Sequence, residues 1–468
     1  SKQFTIKIAT PMQEEYLKFL ERKRHSVQKH GIKPLWIPDK MFDFQAYAAE
    51  YCIEKGRCAA FIDTGLGKTL IELVIAANYA RHTNKPVLII TPLAVAFQFI
   101  REAQKFDIDD VEYSKQGKYT SKIVVCNYER LGYFDPNDFD CVILDESSIL
   151  KNFDGAIKAQ VTAFMKKVKY RFLATATPSP NDFVELGTSS EALGYLGYTD
   201  MLTKFFTNNE DTISPQNIGT EWILKGHAKD AFFHWVSGWS ISMRKPSDLG
   251  FDDSRHVLPE LKTNFHSVEN KRNLVIDGQF QLFNIVAKTN KEVLAERKST
   301  IEDRCQKAFD LSISHDCSVY WTNLNDEADL LQQLDKDAYQ IKGSMDIDKK
   351  EDLLLNFFDG NIKKLITKPK ITAFGLNWQH CNHTVVFPTF SYEQYYQSIR
   401  RFWRFGQKKP VTVDVVYSDG QKRVLDSLLA KSDKANELFS KLNSSINQSF
   451  EIKKTPFEKQ VSLPSFLK

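Results

Sequence analysis

The chain has no apolar run approaching the roughly 20 residues that cross a bilayer, no CxxC pair, no internal repeat and no low-complexity tract. Its start, SKQFTIKIATPMQEEYLKFLERKR, alternates too much and carries too many charges for a signal peptide. A cytoplasmic protein is therefore expected. The seven cysteines (Cys52, Cys58, Cys126, Cys141, Cys305, Cys317, Cys381) stand singly, several of them inside apolar runs, and read as buried reduced thiols rather than zinc ligands or disulfides. The net charge of +4 neither demands nor excludes a nucleic-acid partner, because a basic channel can sit on a near-neutral body. What is present is ordinary for a globular protein, 42% hydrophobic and 26% charged residues. Its 468 residues exceed one compact core and suit two or three domains.

From about residue 44 to 177, short near-continuous apolar runs (58–62, 87–90, 123–126, 141–144, 171–174) end in polar or Gly/Pro signals, as parallel strands covered on both faces do. Between them Leu70, Leu73, Val74 and Ala77 recur at helical spacing. Residues 190–305 hold few strand candidates and aromatic-rich stretches such as AFFHWVSGW, which predict a mostly helical insertion or linker. The strand rhythm returns at 319–321, 338–341, 365–367, 384–387 and 411–417. The expected class is α/β, with two parallel-sheet lobes in tandem. The expected divisions are an N-terminal extension at 1–40, a first lobe at 41–190, an insertion and linker at 191–304, a second lobe at 305–425, and a C-terminal helix and tail at 426–468.

The sharpest local signal is Asp63-Thr64-Gly65-Leu66-Gly67-Lys68-Thr69, which follows an apolar strand and opens an amphipathic helix. Glycines let backbone N–H groups face phosphates, and a helix N-terminus adds partial positive charge. Thr64, Gly65, Gly67, Lys68 and Thr69 are thus candidate nucleotide-binding residues, with Lys68 on the β- and γ-phosphates and the Thr69 hydroxyl on Mg²⁺. Ile62 stands where the general phosphate-loop pattern has its first glycine. About 80 residues on, the apolar run Cys141–Leu144 leads to Asp145 and Glu146. Alone, such a pair is more often a solvated strand end. Within the same lobe as a phosphate loop, Asp145 becomes a candidate Mg²⁺ holder and Glu146 the group that activates a water. The turn Ala174-Thr175-Ala176-Thr177-Pro178 could relay between the γ-phosphate and a second lobe through the Thr175 and Thr177 hydroxyls, although by itself it reads as a polar turn.

In the second lobe, Gln397-Ser398-Ile399-Arg400-Arg401-Phe402-Trp403-Arg404-Phe405-Gly406-Gln407 places Arg401 and Arg404 three apart, on one face if the segment is helical. Planar, permanently charged guanidiniums suit a γ-phosphoryl group in transfer. Arg400 is expected on a basic surface helix or one lying against nucleic-acid phosphates, with Phe402 and Trp403 packing. One lobe would hold the triphosphate while the other supplies arginines on closure, so that ATP acts as the glue.

Together these segments, from about residue 42 to 419, resemble superfamily 2 helicases and, within them, the Swi/Snf-type translocases. PSPNDFVELGTSSEALGYL, Ser242-Met243-Arg244-Lys245 with Leu258-Pro259-Glu260-Leu261-Lys262, and Arg404-Phe405-Gly406-Gln407 are similar to that branch's patterns. RKPSDLG, KPKITAFGLNW and SIRRFWRFGQ look like its phage- and prophage-encoded members. The sequence departs from the family at Ser147-Ser148 after Asp145-Glu146, and at Ala373-Phe374 where a double glycine is usual. The resemblance implies two RecA-like lobes, ATP and Mg²⁺ as cofactors, Gln45 as the adenine-reading residue, Gln397 in coupling, and Thr91, Asn127, Thr322 and Thr372 at a nucleic acid. It also implies a monomeric motor on double-stranded or branched DNA. The alternatives are a strand-separating helicase on DNA or RNA, and an ATP-gated clamp without processive motion. Asp253 with Glu260-Leu261-Lys262 mimics a metal-nuclease pattern but coincides with the linker resemblance.

Overall fold

The computed structural model describes residues 30–92, 95–148, 155–179, 182–208, 222–269, 274–276, 279–281, 290–372 and 377–454. The first lobe opens with α1 (Asp43–Lys55), closed by Gly56 at φ 72°, a left-handed cap that glycine adopts without strain. β1 (Arg57–Ile62) leads through the phosphate loop into α2 (Lys68–Thr83). Next come β2 (Val87–Thr91), α3 (Ala96–Lys105), β3 (Val111–Tyr113), β4 (Ile123–Asn127), β5 (Cys141–Asp145), α4 (Gly155–Lys167) and β6 (Tyr170–Thr175). β2, β4, β5 and β6 are buried at every position, which is why their sequences are continuous apolar runs rather than alternating ones. The sheet order is β3-β4-β2-β5-β6-β1, completed beyond β1 by the later strand Ser240–Met243 (β9), with all its pairings parallel.

Helices α5 (Leu186–Leu193) and α6 (Tyr198–Phe205), the hairpin β7 (Phe206–Asn208) with β8 (Trp222–Leu224), and α7 (Lys229–Trp239) follow. β9 (Ser240–Met243) then returns to the first sheet and pairs with β1. β10 (Leu261–Val268) crosses to the second sheet and pairs with β17 along its full length. The small hairpin β11 (Leu274–Ile276) with β12 (Gln279–Gln281) precedes α8 (Asn290–Ser299) and α9 (Ile301–Ser312). The second lobe continues with β13 (Ser318–Trp321), α10 (Asn325–Leu334), β14 (Ala338–Gln340), α11 (Ile347–Phe358), β15 (Lys364–Thr367), α12 (Pro369–Thr372), β16 (His383–Val386), α13 (Tyr392–Ile399) and β17 (Val411–Ser418). Its sheet order is β10-β17-β16-β13-β15-β14, again with parallel pairings.

All ten strands expected from the apolar runs are present, and the α/β class with two parallel-sheet lobes holds. The stretch expected as a mostly helical insertion or linker holds α6, α7 and α8, and it also supplies β9 and β10, edge strands of the two lobes, so the connection is built into both sheets. The last described helix, α14 (Lys422–Lys454), runs where a C-terminal helix was expected, and it reaches both lobes. It starts behind β17, yet Leu438, Phe439 and Leu442 are buried in a first-lobe cluster with Phe232, Phe233, Val236 and Trp239 of α7. Arg244 donates to Asn436 Oδ1 at 2.6 Å and lies 4.1 Å from the centre of the Phe439 ring. α14 therefore straps the second lobe to the first.

All seven cysteines are free thiols, six of them buried and Cys317 half-buried. Among the described residues no helix is long and apolar enough to cross a membrane.

Candidate active site

The phosphate loop sits at the C-terminal end of β1, where the strand tips face the second lobe. Gly65 and Gly67 adopt φ 88° and 82°, and each is crowded: a Cβ on Gly67 would lie 2.1 Å from Gln45 Nε2, and one on Gly65 2.8 Å from the Phe405 backbone nitrogen. Close approach as well as backbone twist thus demands glycine here. Gln45 donates to the Leu66 carbonyl at 3.0 Å and accepts from the Phe42 N–H at 3.1 Å, so it ties the loop to the start of α1.

Lys68 Nζ lies 2.5 Å from Glu146 Oε1 and 3.5 Å from Asp145 Oδ1. Burial opposes its charge, but the adjacent carboxylates of Glu146 and Asp145 outweigh burial and hold the ammonium above its ordinary range. Burial, helped by Glu146 and opposed by Lys68, pushes the Asp145 carboxyl up to about 6. Asp145 Oδ2 accepts from the Thr91 hydroxyl at 2.9 Å, and its backbone carbonyl accepts from Tyr128 at 2.7 Å. Glu146 follows at φ 50°, a strained position for a residue with a Cβ and one typical of functional turns. Asp145 Oδ1 and Glu146 Oε2 are buried and accept no hydrogen bond, while Thr69 lines the same cavity. This donor set fits Mg²⁺, which takes few protein ligands and completes its shell with phosphates and water. Among the described residues no group of three or more His, Cys, Asp and Glu could hold a metal by itself.

Across a cavity of about 260 Å³ stand Arg401 and Arg404. The cavity is also lined by Thr64, Gly65, Gly67, Thr69 and Gln397. Burial, and then the Arg404 charge, lowers the Arg401 guanidinium to about 9, and burial lowers that of Arg404 to about 10 against the pull of Glu102 and Glu146. Two cations held this far from water make an anion site. The expected helical face is not what aligns them: α13 ends at Ile399, and residues 400–406 run as turns. The turns bring the two side chains to the cavity all the same. Phe402 is fully buried, as packing required.

Arg400 is not on the surface. It is buried against Asp63, the residue that enters the phosphate loop. No local spacing announced this pair, which is 337 positions apart. The lobes also meet at the Ala174–Pro178 turn, where Thr177 Oγ1 accepts from Gln397 Nε2 at 3.4 Å and donates to Glu393 Oε1 at 3.3 Å. Glu393 had no sequence signal beyond its helical spacing from Gln397. Thr175 stays within the first lobe, its hydroxyl accepting from the Thr177 N–H at 3.0 Å.

Of the residues expected at a nucleic acid, three point inward. Thr91 is bonded to Asp145, Asn127 accepts from Tyr113, and the Thr322 hydroxyl donates to the Thr367 carbonyl at 3.4 Å. All three side chains are buried; the Thr91 and Thr322 hydroxyls and the Asn127 Oδ1 find partners within their own lobes, whereas the Asn127 Nδ2 has none among the described residues. The Thr372 side chain lies outside the described residues.

Residues 42–186 match the DEAD/DEAH box helicase family, and residues 303–406 match the helicase conserved C-terminal domain. Over 168 residues (34% of this chain, 18% of the relative) the sequence is 26% identical to the SWI/SNF-related matrix-associated actin-dependent regulator of chromatin subfamily A-like protein 1 of Xenopus tropicalis. Over 180 residues (34% of this chain, 17% of the relative) it is 26% identical to the DNA annealing helicase and endonuclease ZRANB3 of Mus musculus. The chain thus spans under a fifth of the length of either relative. The structure of S. cerevisiae Dbp5 bound to RNA and ADP BeF3 superposes with a TM-score of 0.55 at 12% identity, covering 93% of this chain and 98% of that one. That likeness shows the fold, two RecA-like lobes in tandem. The likeness to phage-encoded proteins rests on the motif variants alone.

Proposed function

We propose that this chain, whose two lobes are a DEAD/DEAH box helicase domain and a helicase conserved C-terminal domain, is a nucleic-acid-dependent ATPase that moves along double-stranded or branched DNA. The observation that carries this reading is the single cavity faced by Lys68, Asp145 and Glu146 from one lobe and by Arg401 and Arg404 from the other.

The chemistry follows from the contacts. Lys68, held on Glu146 in this structure, is the natural cation for the β- and γ-phosphates. Its departure frees the Glu146 carboxylate to orient and deprotonate a water. Thr69 and Asp145 are the groups that would hold Mg²⁺, which supplies charge neutralisation when bound with the nucleotide. Arg401 and Arg404 stabilise the charge on the transferring phosphoryl group, a role that contributes roughly 10³–10⁵ in rate in related enzymes. Loss of the γ-phosphate removes the anion that these buried guanidiniums face. The change reaches the lobe interface through the Thr177–Gln397 and Thr177–Glu393 contacts.

A DNA substrate is supported by the names of the matched relatives, a DNA annealing helicase among them. Binding should rest on phosphates, weaken steeply with salt and show little base preference. The test is the ATPase rate with no nucleic acid and with single-stranded, duplex and branched DNA and RNA, together with triplex displacement as a report of movement on duplex. Duplex or branched DNA should stimulate hydrolysis most, and Glu146→Gln should abolish both hydrolysis and displacement. Full activity in Glu146→Gln would end the motor reading. Stimulation without displacement would favour an ATP-gated clamp, and stimulation only by single strands a strand-separating helicase.

A further inference from the structure

We propose that Asp63 and Arg400 form a latch between the lobes that places the arginines of the second lobe over the phosphate loop. The inference rests on the ATPase reading and deepens it, assigning part of the closure of the cleft to the protein's own charges.

Asp63 is spent entirely on this junction. Its backbone N–H donates to the Met243 carbonyl of β9 at 2.9 Å, which fixes the loop's entry to the connection between lobes. Its Oδ1 accepts from the Thr64 N–H at 2.7 Å and from the Tyr396 hydroxyl at 2.6 Å, and its Oδ2 accepts from Arg400 Nη2. One carboxylate therefore binds the phosphate loop on one side and two second-lobe groups on the other. The Arg400 guanidinium is equally committed. Nε donates to the Tyr396 hydroxyl at 3.1 Å, Nη1 donates to the Trp403 carbonyl at 3.2 Å, and the group lies 4.5 Å from the centre of the Trp403 ring. The Asp63 and Arg400 side chains are 1% and 9% exposed, so the pair is little screened by solvent.

Arg400 is followed at once by Arg401, and the turn that carries Arg404 and Phe405 lies directly on Gly65. Anchoring Arg400 on Asp63 thus fixes the origin of the segment that delivers both catalytic arginines. Arg400 acts through its neighbours and is a positioning residue. An arginine able to span three hydrogen bonds and a ring face suits this better than a lysine, which offers a point charge.

The test uses the full chain with Arg400→Gln and Arg400→Lys, and measures three quantities. These are the inter-lobe distance without nucleotide (by fluorescence energy transfer between labelled lobes), the binding of a fluorescent ATP analogue, and kcat with saturating nucleic acid. Arg400→Gln should open the empty cleft and lower kcat by about ten- to a hundred-fold, the loss expected when reacting groups shift by about 1 Å. Analogue binding should stay within about threefold, because Lys68 and the loop glycines are untouched. Arg400→Lys, which keeps the charge, should recover part of the closure and part of kcat. An Arg400→Gln cleft as closed as the parent's, or an unchanged kcat, overturns the latch. Equal loss in Arg400→Lys and Arg400→Gln overturns the charge pairing. If the parent chain neither binds the analogue nor hydrolyses ATP, it is the ATPase reading that falls.

Discussion

Glu72 stands one helical turn beyond Lys68 on α2, with its carboxyl inside the first lobe. It is 2% exposed, and both of its side-chain oxygens are buried without a hydrogen-bond partner. Burial first, then the Asp145 charge, raises its pKa well above the ordinary value, against the opposing pull of Lys68. The sign of the consequence follows. Between the unfolded pKa and the raised folded one, the native state holds a proton that the unfolded chain has shed, so stability falls as pH rises through that window and then levels off. Glu72→Gln keeps the shape and removes the titration. At low pH, where both forms are neutral, the two proteins should be equally stable. At pH 8 the variant should be more stable by about 1–3 kcal/mol, because it does not have to take up on folding the proton that the unfolded Glu72 carboxyl has shed. For a lobe of this size that corresponds to roughly 2–12 °C in Tm. Thermal unfolding of both proteins at pH 5 and pH 8 checks it, with the gap widening toward pH 8. ATP affinity should hold within about twofold, since a protonated Glu72 contributes no charge to Lys68. A variant less stable than the parent at pH 8, or one with a weakened nucleotide site, would refute the reasoning and make Glu72 an ionised partner of Lys68.

Two further outcomes follow from the contacts between lobes. Thr177→Val removes the hydroxyl that joins Gln397 and Glu393, and nucleic-acid-stimulated kcat should fall roughly tenfold, the equivalent of about 1.4 kcal/mol of lost hydrogen bonding. The KM for ATP should change little, and steady-state kinetics with and without DNA separate the two effects. Phe439→Ala empties a position that is 3% exposed beneath Arg244. It should cost about 3–5 kcal/mol in urea unfolding, and it should loosen the α14 strap, seen as faster proteolysis of the C-terminal helix.

What the sequence disclosed divides along physical lines. A parallel strand covered on both faces must be apolar at consecutive positions, so ten strands could be read directly. β9 and β10 could not. Ser240-Ile241-Ser242-Met243 is short and alternating, and Leu261–Val268 buries only part of one face at a sheet edge, so neither needs the continuous apolar run that marks a central strand. The phosphate loop was legible because its chemistry is local: glycines, a lysine and a helix start within seven residues. Thr91, Asn127 and Thr322 show the limit of the same logic. A polar residue at the tip of a buried strand signals a partner but not which one, and here each finds it inside its own lobe.

The arginine segment carries the point furthest. Arg401 and Arg404 were identified by chemistry and spacing although the segment forms turns rather than the helix that spacing suggested, because two guanidiniums three apart can converge in either conformation. Arg400, adjacent to them and chemically identical, was assigned to the surface. Only the tertiary structure distinguishes it, through a carboxylate on the other lobe that no pattern along the chain could link to it. Roles that depend on one lobe's residues are therefore open to sequence reasoning, while roles that depend on how two lobes meet require the fold. The proposed motor would work at that meeting, so the least legible residues here, Asp63, Arg400 and Glu393, are the ones on which the proposed closure of the cleft turns.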